Sequence, residues 1–372
     1  MADFRIPNRI IYGKGAVNEL CSISCHRMLI VYDDPQVNQT VQKLLCSSDI
    51  TVRTFYADPY GADIPQVKEG TKALMEFKPD WILAAGGHGA MDLAKLIRIF
   101  YQRPDLAVHD EIQDKAAEIS LDKTRFIALP LYNTNGHEAT DSAYVWDFSA
   151  MRQKEIRNSE LLPDITIIDP EMVSSPDSQQ LAVSVLSTLV LAIEASADMQ
   201  TGSFVRPMAL EAISILSKSV PAHSSAFADN ASPLYAQCLA GIAHSNSSPG
   251  LGSILCRAAA SFKHTSLGIL GAAIMPAVIK SDRNPRKYFA AACAMGLDDV
   301  SVLADTITEY ADMFGLPLTL SEMGVSKNLF LKKLSRVAHG VLPLLPSDIA
   351  EQKEPQKHIE QILRMAYSHK EL

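Results

Sequence analysis

The chain has 372 residues and a formal net charge of −8, from 34 Lys and Arg against 42 Asp and Glu. Its composition, 47% hydrophobic and 20% charged, is typical of a globular protein. At roughly 100–200 residues per domain, this length predicts about two domains. An acidic balance without a long basic run argues against nucleic acid and anionic membranes as partners.

The chain carries no pattern typical of export or membrane insertion. The first 20 residues, MADFRIPNRIIYGKGAVNEL, lack the apolar segment of a secretory signal. The longest apolar run begins at Leu267 and has 13 residues, whereas a membrane span needs about 18. Six cysteines are scattered without CxxC spacing. We therefore expect a cytoplasmic protein with reduced, mostly buried thiols.

The first half of the chain alternates strand-like and helix-like segments. Apolar, β-rich runs predict strands at 27–34, 51–58, 80–87, 125–132 and 164–170. Helical periodicity lies between them, for example at 64–77 and 90–102. Strands and helices in alternation predict a doubly wound parallel sheet in an α/β domain.

The pattern changes in the second half. From about Leu181 the chain is rich in Ala, Leu and Ser, with a period near 3.6, which predicts an all-helical domain. Pro, Ser and Asp cluster at 171–180, as expected at a boundary. We therefore predict an α/β nucleotide-binding domain at 1–177 and a helical domain at 178–372.

Two features of the first domain suggest a nucleotide. In AAGGHGAMDLAK (84–95) a glycine-rich turn joins a strand to a helix, where backbone can approach a phosphate. A plain tight turn is the alternative. Asp33 ends an early strand, where a carboxylate can accept hydrogen bonds from ribose hydroxyls and repel a 2′-phosphate, which favours NAD over NADP. A solvated strand-end acid is its alternative.

Motifs spread along the chain resemble those of the iron-containing (group III) alcohol dehydrogenase family, which shares a dehydroquinate synthase-like fold. GGHGAMDLAK resembles the family's GGGSxxDxAK turn, with His88 where a glycine is usual. LLPDITIIDPEMV resembles LLPDxAIxDPxLT, and LAIEAS resembles the end of the first metal helix. The resemblance implies an NAD(P)-dependent oxidoreductase acting on an alcohol or aldehyde, assembled as a homodimer or larger oligomer. It assigns cofactor binding to Asp33, Gly86, Gly87, His88, Gly89, Asp92, Tyr132 and Asn135.

A second nucleotide loop departs from the family pattern. The family reads roughly PTTxGTGSE, and this chain has PLYNTNGHEAT (130–140). The matching residues are Pro130, Gly136 and Glu138. The small hydroxyl residues are replaced by Leu131, Tyr132 and Asn135, and His137 stands where a small serine is expected. Tyr132 and His137 either stack on or donate to a cofactor, or block the cleft, so any NAD is expected to bind weakly.

The family's metal ligands, one Asp and three His, are replaced in this chain. The pattern DAxxHAIEA aligns without a gap on STLVLAIEAS, and a second pattern aligns from Asn246. The four ligand positions then hold Ser187, Leu191, Ser253 and Leu267. Leucine and neutral serine are not ordinary ligands for a divalent cation, so we expect no bound metal.

Arg257 stands where the family has a second, non-ligand histidine. A guanidinium there either clamps a carboxylate or phosphate, or pairs internally with Glu194 or Asp198. Three function classes remain open. They are a metal-independent dehydrogenase using Arg257, His137 and Lys154, a non-catalytic protein binding a nucleotide or anionic metabolite, and an assembly subunit.

Overall fold

A computed structural model describes residues 3–46, 49–106, 119–132, 134–147, 152–173, 178–200, 202–220 and 231–368, with the side chain of Arg152 left out. The chain divides into two compact units, Arg5–Pro176 and Asp177–Leu372, and residues 1–4 belong to the second unit. The predicted domain bounds, 1–177 and 178–372, stay a prediction. The ring of Phe4 packs against a small apolar cluster of the second unit and lies 5.5 Å from the ring of Phe204.

The first unit is built on a parallel sheet. Its strands, with a hairpin formed by the sixth and seventh, are β1 (Arg9–Tyr12), β2 (Arg27–Tyr32), β3 (Thr51–Tyr56), β4 (Trp81–Gly86), β5 (Arg125–Pro130), β6 (Ser142–Asp147), β7 (Arg152–Arg157) and β8 (Ile165–Ile168). The sheet order is β1-β8-β5-β4-β2-β3, with all neighbours parallel. The predicted strands are confirmed, a little shorter than their apolar runs.

Three described strands of this unit, β1, β6 and β7, were not predicted. The edge strand β1 is short and half-exposed, so its sequence lacks the continuous apolar run of a buried strand. The antiparallel hairpin β6–β7 pairs outside the main sheet and makes an isolated bridge to Asp63 through Trp146.

Helices cover both faces of the sheet, as a doubly wound arrangement requires. These are α1 (Pro35–Leu45), α2 (Ile64–Phe77) and α3 (His88–Gln102). Alternate residues of β2 enter opposite cores: Leu29 packs in the cluster that includes α2 and α3, and Ile30 in the cluster that includes α1. The α/β prediction is therefore confirmed.

The second unit is helical. Its helices are α4 (Ser178–Ala197), α5 (Val205–Ser219), α6 (Ser232–Ser245), α7 (Leu251–Ala259), α8 (Leu267–Ser281), α9 (Phe289–Ala294), α10 (Leu303–Met313), α11 (Lys327–Gly340), α12 (Ser347–Ala350) and α13 (Pro355–Tyr367). By length and apolarity alone, α4 could cross a membrane. However, 89% of its most apolar 18-residue stretch is buried inside the protein. Its composition is accounted for by its place in the helical core.

All six cysteines are free. Cys238 and Cys256 are buried and Cys25 is half-buried, whereas three are exposed: Cys21, Cys46 and Cys293. The expectation of mostly buried thiols was wrong, because these three lie on the surface of short or terminal elements rather than on a core face.

Candidate functional site

The glycine-rich turn after β4 forms the start of α3, as the motif predicts. The N-cap is Gly87, and its backbone N–H donates to both carboxylate oxygens of Asp33, at 3.1 and 2.9 Å. Burial raises the pKa of Asp33 to about 6, against the lowering effect of backbone hydrogen bonds from Gly87 and Ala90. The N-terminus of this helix is thus capped by a carboxylate from β2's end.

Close packing explains two of the three glycines in the turn. A Cβ at Gly86, which has φ +159°, would overlap the carboxylate of Asp33. A Cβ at Gly89 would overlap the backbone carbonyl oxygen of Asp58. These glycines therefore admit other parts of the protein at close range, and their predicted role toward a cofactor stays a prediction.

One turn into α3, a group of ionisable side chains lies inside the unit. The Nδ1 atom of His137 lies 2.8 Å from Oδ1 of Asp92, and the Asp92 side chain is 1% exposed. The His137 ring also stacks on Tyr144, with centroids 5.2 Å apart, and lies edge-on to His88 at 6.4 Å. In this arrangement Asp92 faces His137 from within the core, so its carboxylate offers no exposed surface to a cofactor.

Lys95 is the central cation of this group, and no role was predicted for it from the sequence. Its fully buried ammonium donates to the carbonyl oxygens of His137, Thr140 and Ser142, at 2.6, 2.8 and 2.9 Å, and to the Thr140 hydroxyl at 3.0 Å. Burial lowers the pKa of Lys95 to about 8, opposed mainly by the charge of Asp92. The spacing in the sequence could have indicated this contact. Lys95 follows Asp92 by three residues, so the two side chains lie on the same face of the helix.

The second nucleotide loop wraps this lysine. Asn135 has φ 55° and Gly136 φ 75°, so two successive left-handed residues turn the chain into the loop's 3-10 turn. Asn135 is buried and Tyr132 is half-buried. Burial raises the pKa of Glu138, which is completely enclosed. The loop is held by internal contacts, and roles for Tyr132 and Asn135 toward a cofactor stay predictions.

Lys154, a predicted catalytic residue, lies on the hairpin. Its ammonium is 3.3 Å from Oδ2 of Asp147, and both side chains are less than one tenth exposed. The structure therefore brings His137 to Asp92 but gives Lys154 a separate acidic neighbour.

In the helical unit, the four ligand positions lie on α4, α7 and α8, which pack together. The Ser187 hydroxyl donates to the carbonyl oxygen of Val183 at 2.9 Å, and the Ser253 hydroxyl donates to that of Gly250 at 3.1 Å. Both serines are completely buried, Leu191 is 2% exposed, and Leu267 is half-buried within the apolar core.

These residues do not fit a divalent metal. Two of the four side chains are hydrocarbon, and the two hydroxyls are committed to helix carbonyls. Among the described residues, no group of three or more His, Cys, Asp or Glu side chains is placed to hold a metal ion.

Glu194 joins α4 to α7 beside these positions. Its Oε1 accepts the backbone N–H of Ser253 at 2.9 Å, within the first turn of α7. Burial raises the pKa of Glu194, while hydrogen bonds from Ser253 and the charge of Arg257 act in the opposite direction. This residue entered the sequence analysis only as a possible partner of Arg257.

Arg257 is half-buried on α7, and its Nη2 donates to the Ser253 hydroxyl at 3.3 Å. Its charge acts on Glu194, and the pairing with Glu194 or Asp198 considered from the sequence stays a prediction. An anion site centred on Arg257 stays a prediction.

Comparison with known proteins agrees with the motifs. Residues 7–170 match the family described as iron-containing alcohol dehydrogenase, and residues 181–367 match the C-terminal domain of the Fe-containing alcohol dehydrogenase family. The NADPH-dependent butanol dehydrogenase of Clostridium saccharobutylicum is 25% identical over 353 residues, which cover 91% of each chain.

Solved structures share the fold. The iron-containing alcohol dehydrogenase of Thermococcus thioreducens has a TM-score of 0.84 and 23% identity over 98% of this chain and 99% of that one. Sulfoacetaldehyde reductase of Bifidobacterium kashiwanohense, solved in complex with NAD+, has a TM-score of 0.80 and 19% identity over 100% of both chains. These matches confirm the resemblance seen in the motifs.

Proposed function

This chain belongs to the iron-containing alcohol dehydrogenase family, and on that premise we propose that it has lost metal-dependent turnover and acts as a small-molecule-binding protein. The observation that carries the proposal is the chemistry of the four ligand positions, with two hydroxyls bonded to helix carbonyls and two leucines. A catalytic metal polarises the alcohol oxygen and stabilises the alkoxide, which contributes several kcal/mol. At about 1.4 kcal/mol per factor of ten, its loss lowers the rate by orders of magnitude.

The nucleotide is NAD rather than NADP in this proposal, and it binds weakly. Asp33 would oppose a 2′-phosphate, but its carboxylate already accepts the N–H of Gly87 at the start of α3. A phosphate at this helix terminus must displace that carboxylate. Fluorescence titration with NADH and NADPH tests the proposal, and tighter binding of NADPH or submicromolar NADH affinity contradicts it.

One observation favours a second candidate, a metal-independent oxidoreductase. The His137 imidazole lies 2.8 Å from the Asp92 carboxylate, close enough for that carboxylate to act on it electrostatically, although the two atoms are not aligned as a hydrogen bond. In that case the purified protein turns over an alcohol or aldehyde without metal, and His137→Gln removes this activity while Lys68→Gln, at an exposed position of α2, does not.

The main experiment measures metal content and turnover together. We expect dialysed protein to hold no stoichiometric Fe, Zn or Mn by elemental analysis. We also expect no oxidation of short alcohols with NAD or NADP, with or without added metals. A variant with Ser187→Asp, Leu191→His, Ser253→His and Leu267→His serves as the matched comparison, because it restores the family's ligands and should gain metal if it folds.

Two results would overturn the proposal. One is a single metal per wild-type chain that survives dialysis and is lost in Ser253→Ala. The other is metal-stimulated alcohol oxidation by the wild type. The same proposal includes a cytoplasmic location and assembly as a homodimer or larger oligomer. Size-exclusion chromatography with light scattering measures the oligomeric state.

A further inference from the structure

A pocket of about 440 Å³ opens in the helical unit. It lies where the end of α4 meets the start of α7 and two later segments, 284–288 and 344–349. Its described lining includes Glu194 but none of the four ligand positions. The volume is within the range of small-molecule sites, about 300–1,000 Å³.

The most buried acidic group in the described lining of this pocket is the carboxylate of Glu194. The residue is 7% exposed, and while Oε1 accepts the N–H of Ser253, its Oε2 is buried with no hydrogen-bond partner. A buried carboxylate oxygen is costly to leave unpaired. The carboxylate is also tightly placed, because a Cβ at Gly250 or Gly252 would collide with it. Glu194 is therefore held in place through Oε1, and its Oε2 is the oxygen that lacks a donor.

The charge around the pocket favours a cation. Asp198 and Asp348 line it with Glu194, and the basic side chain among its described lining residues is Lys287. The Lys287 ammonium is already bound to acids, at 2.7 Å from Asp282 and 3.3 Å from Asp348. Three carboxylates thus line the pocket beside one ammonium, and the charge of Arg257, which is not among the described lining residues, also acts on Glu194.

The start of α7 does not offer an anion site here. The N–H of Ser253, in the first turn, already donates to Glu194, and this helix terminus stabilises the ionised form of that carboxylate. The remaining wall is largely apolar, with Ala197, Leu251 and Leu344 among its residues. The complementary ligand has a cationic donor at one end and a short hydrocarbon part.

We propose that this pocket binds a small organic cation, a primary ammonium carrying a short apolar chain, whose N–H groups donate to Glu194. An ammonium supplies donors to Oε2 and counter-charge to Asp198 and Asp348, and its chain covers the apolar wall. The site is separate from the proposed loss of metal turnover, since binding here needs neither a metal nor a dinucleotide.

Calorimetry on the full chain tests the proposal with three probes of equal length: n-butylammonium, 1-butanol and butyrate. We expect saturable binding of n-butylammonium and much weaker binding of the other two. Glu194→Gln retains an oxygen for the Ser253 N–H but loses the charge, so it should weaken n-butylammonium binding by about tenfold or more.

Asp348→Lys provides a second variant that reverses one charge of the pocket wall. The Asp348 side chain is 56% exposed, so this substitution leaves the core untouched. It should weaken n-butylammonium binding several-fold. The control is Asp305→Asn, an exposed carboxylate paired with Lys280 outside the described pocket lining, which should change nothing. Equal binding of the three probes, no saturation in the millimolar range, or unchanged affinity in both Glu194→Gln and Asp348→Lys overturns the proposal. Metal content and turnover enter none of these measurements.

Discussion

Glu194 on α4 caps α7 from 59 residues away, with its Oε1 accepting the N–H of Ser253 at 2.9 Å. Leu191, one turn earlier on the same helix, and Ser253 itself are two of the four positions where the family holds its metal. A hydrogen bond between helices therefore connects elements that a metal would otherwise join.

This contact predicts different outcomes for two substitutions of Glu194. Glu194→Leu leaves the Ser253 N–H buried without an acceptor and should lower the free energy of unfolding by about 2–3 kcal/mol. Glu194→Gln keeps an acceptor and should cost less than half of that. Urea denaturation measures both, and equal losses would show that the hydrogen bond is not what stabilises this junction.

Gly268 on α8 permits close packing against α4. A Cβ there would overlap the carbonyl oxygen of Val183 and lie 2.8 Å from the Ser187 hydroxyl. We expect Gly268→Ala to destabilise the protein by about 2–3 kcal/mol, since backbone cannot move aside as a side chain can. Gly340 in α11 has open space around it, so Gly340→Ala should be neutral or stabilising. Thermal unfolding of the two variants gives the comparison, and similar melting temperatures would count against the packing argument.

Lys95 holds the second nucleotide loop in place. Lys95→Met removes the donor from three buried carbonyl oxygens and the counter-charge from Asp92, and should cost about 3–5 kcal/mol. The control is Lys72→Met, at an exposed position of α2, which should remain within about 0.5 kcal/mol of wild type. Denaturant unfolding and hydrogen exchange of residues 137–142 measure the effect. Unchanged protection in that loop would contradict it.

Asp33 predicts a pH dependence of stability. Its pKa rises from 3.8 to about 6 on folding, so between these values the folded protein holds a proton that the unfolded chain has released. The stability contributed by this group is full below pH about 4 and is lost as the pH rises through about 6. Because Asp33→Asn does not titrate, the unfolding free energy of wild type minus that of the variant should fall by about 2–3 kcal/mol across this window. If the free-energy difference between wild type and variant instead increases with pH, the prediction is wrong.

The sequence by itself determined the fold class, the positions of the buried strands along the chain, the helical second half and the residue types that align with the family's four metal ligands. Buried parallel strands carry continuous apolar runs, and whether a side chain can bind a metal depends on its residue type. Both features can therefore be recognised in the sequence. The edge strand β1 and the hairpin lack that signature and were missed.

Only the tertiary structure decided which partners the polar residues have. Asp33, for which the sequence left open a ribose ligand or a solvated acid, caps α3, and Asp92 faces His137 inside the core. Lys95 meets carbonyl groups more than 40 residues away, and Glu194 meets α7. Each of these contacts joins segments that are distant along the chain. A carboxylate or an ammonium has the same letter in the sequence whether it faces solvent, a helix terminus or a buried acceptor, and only packing distinguishes these surroundings.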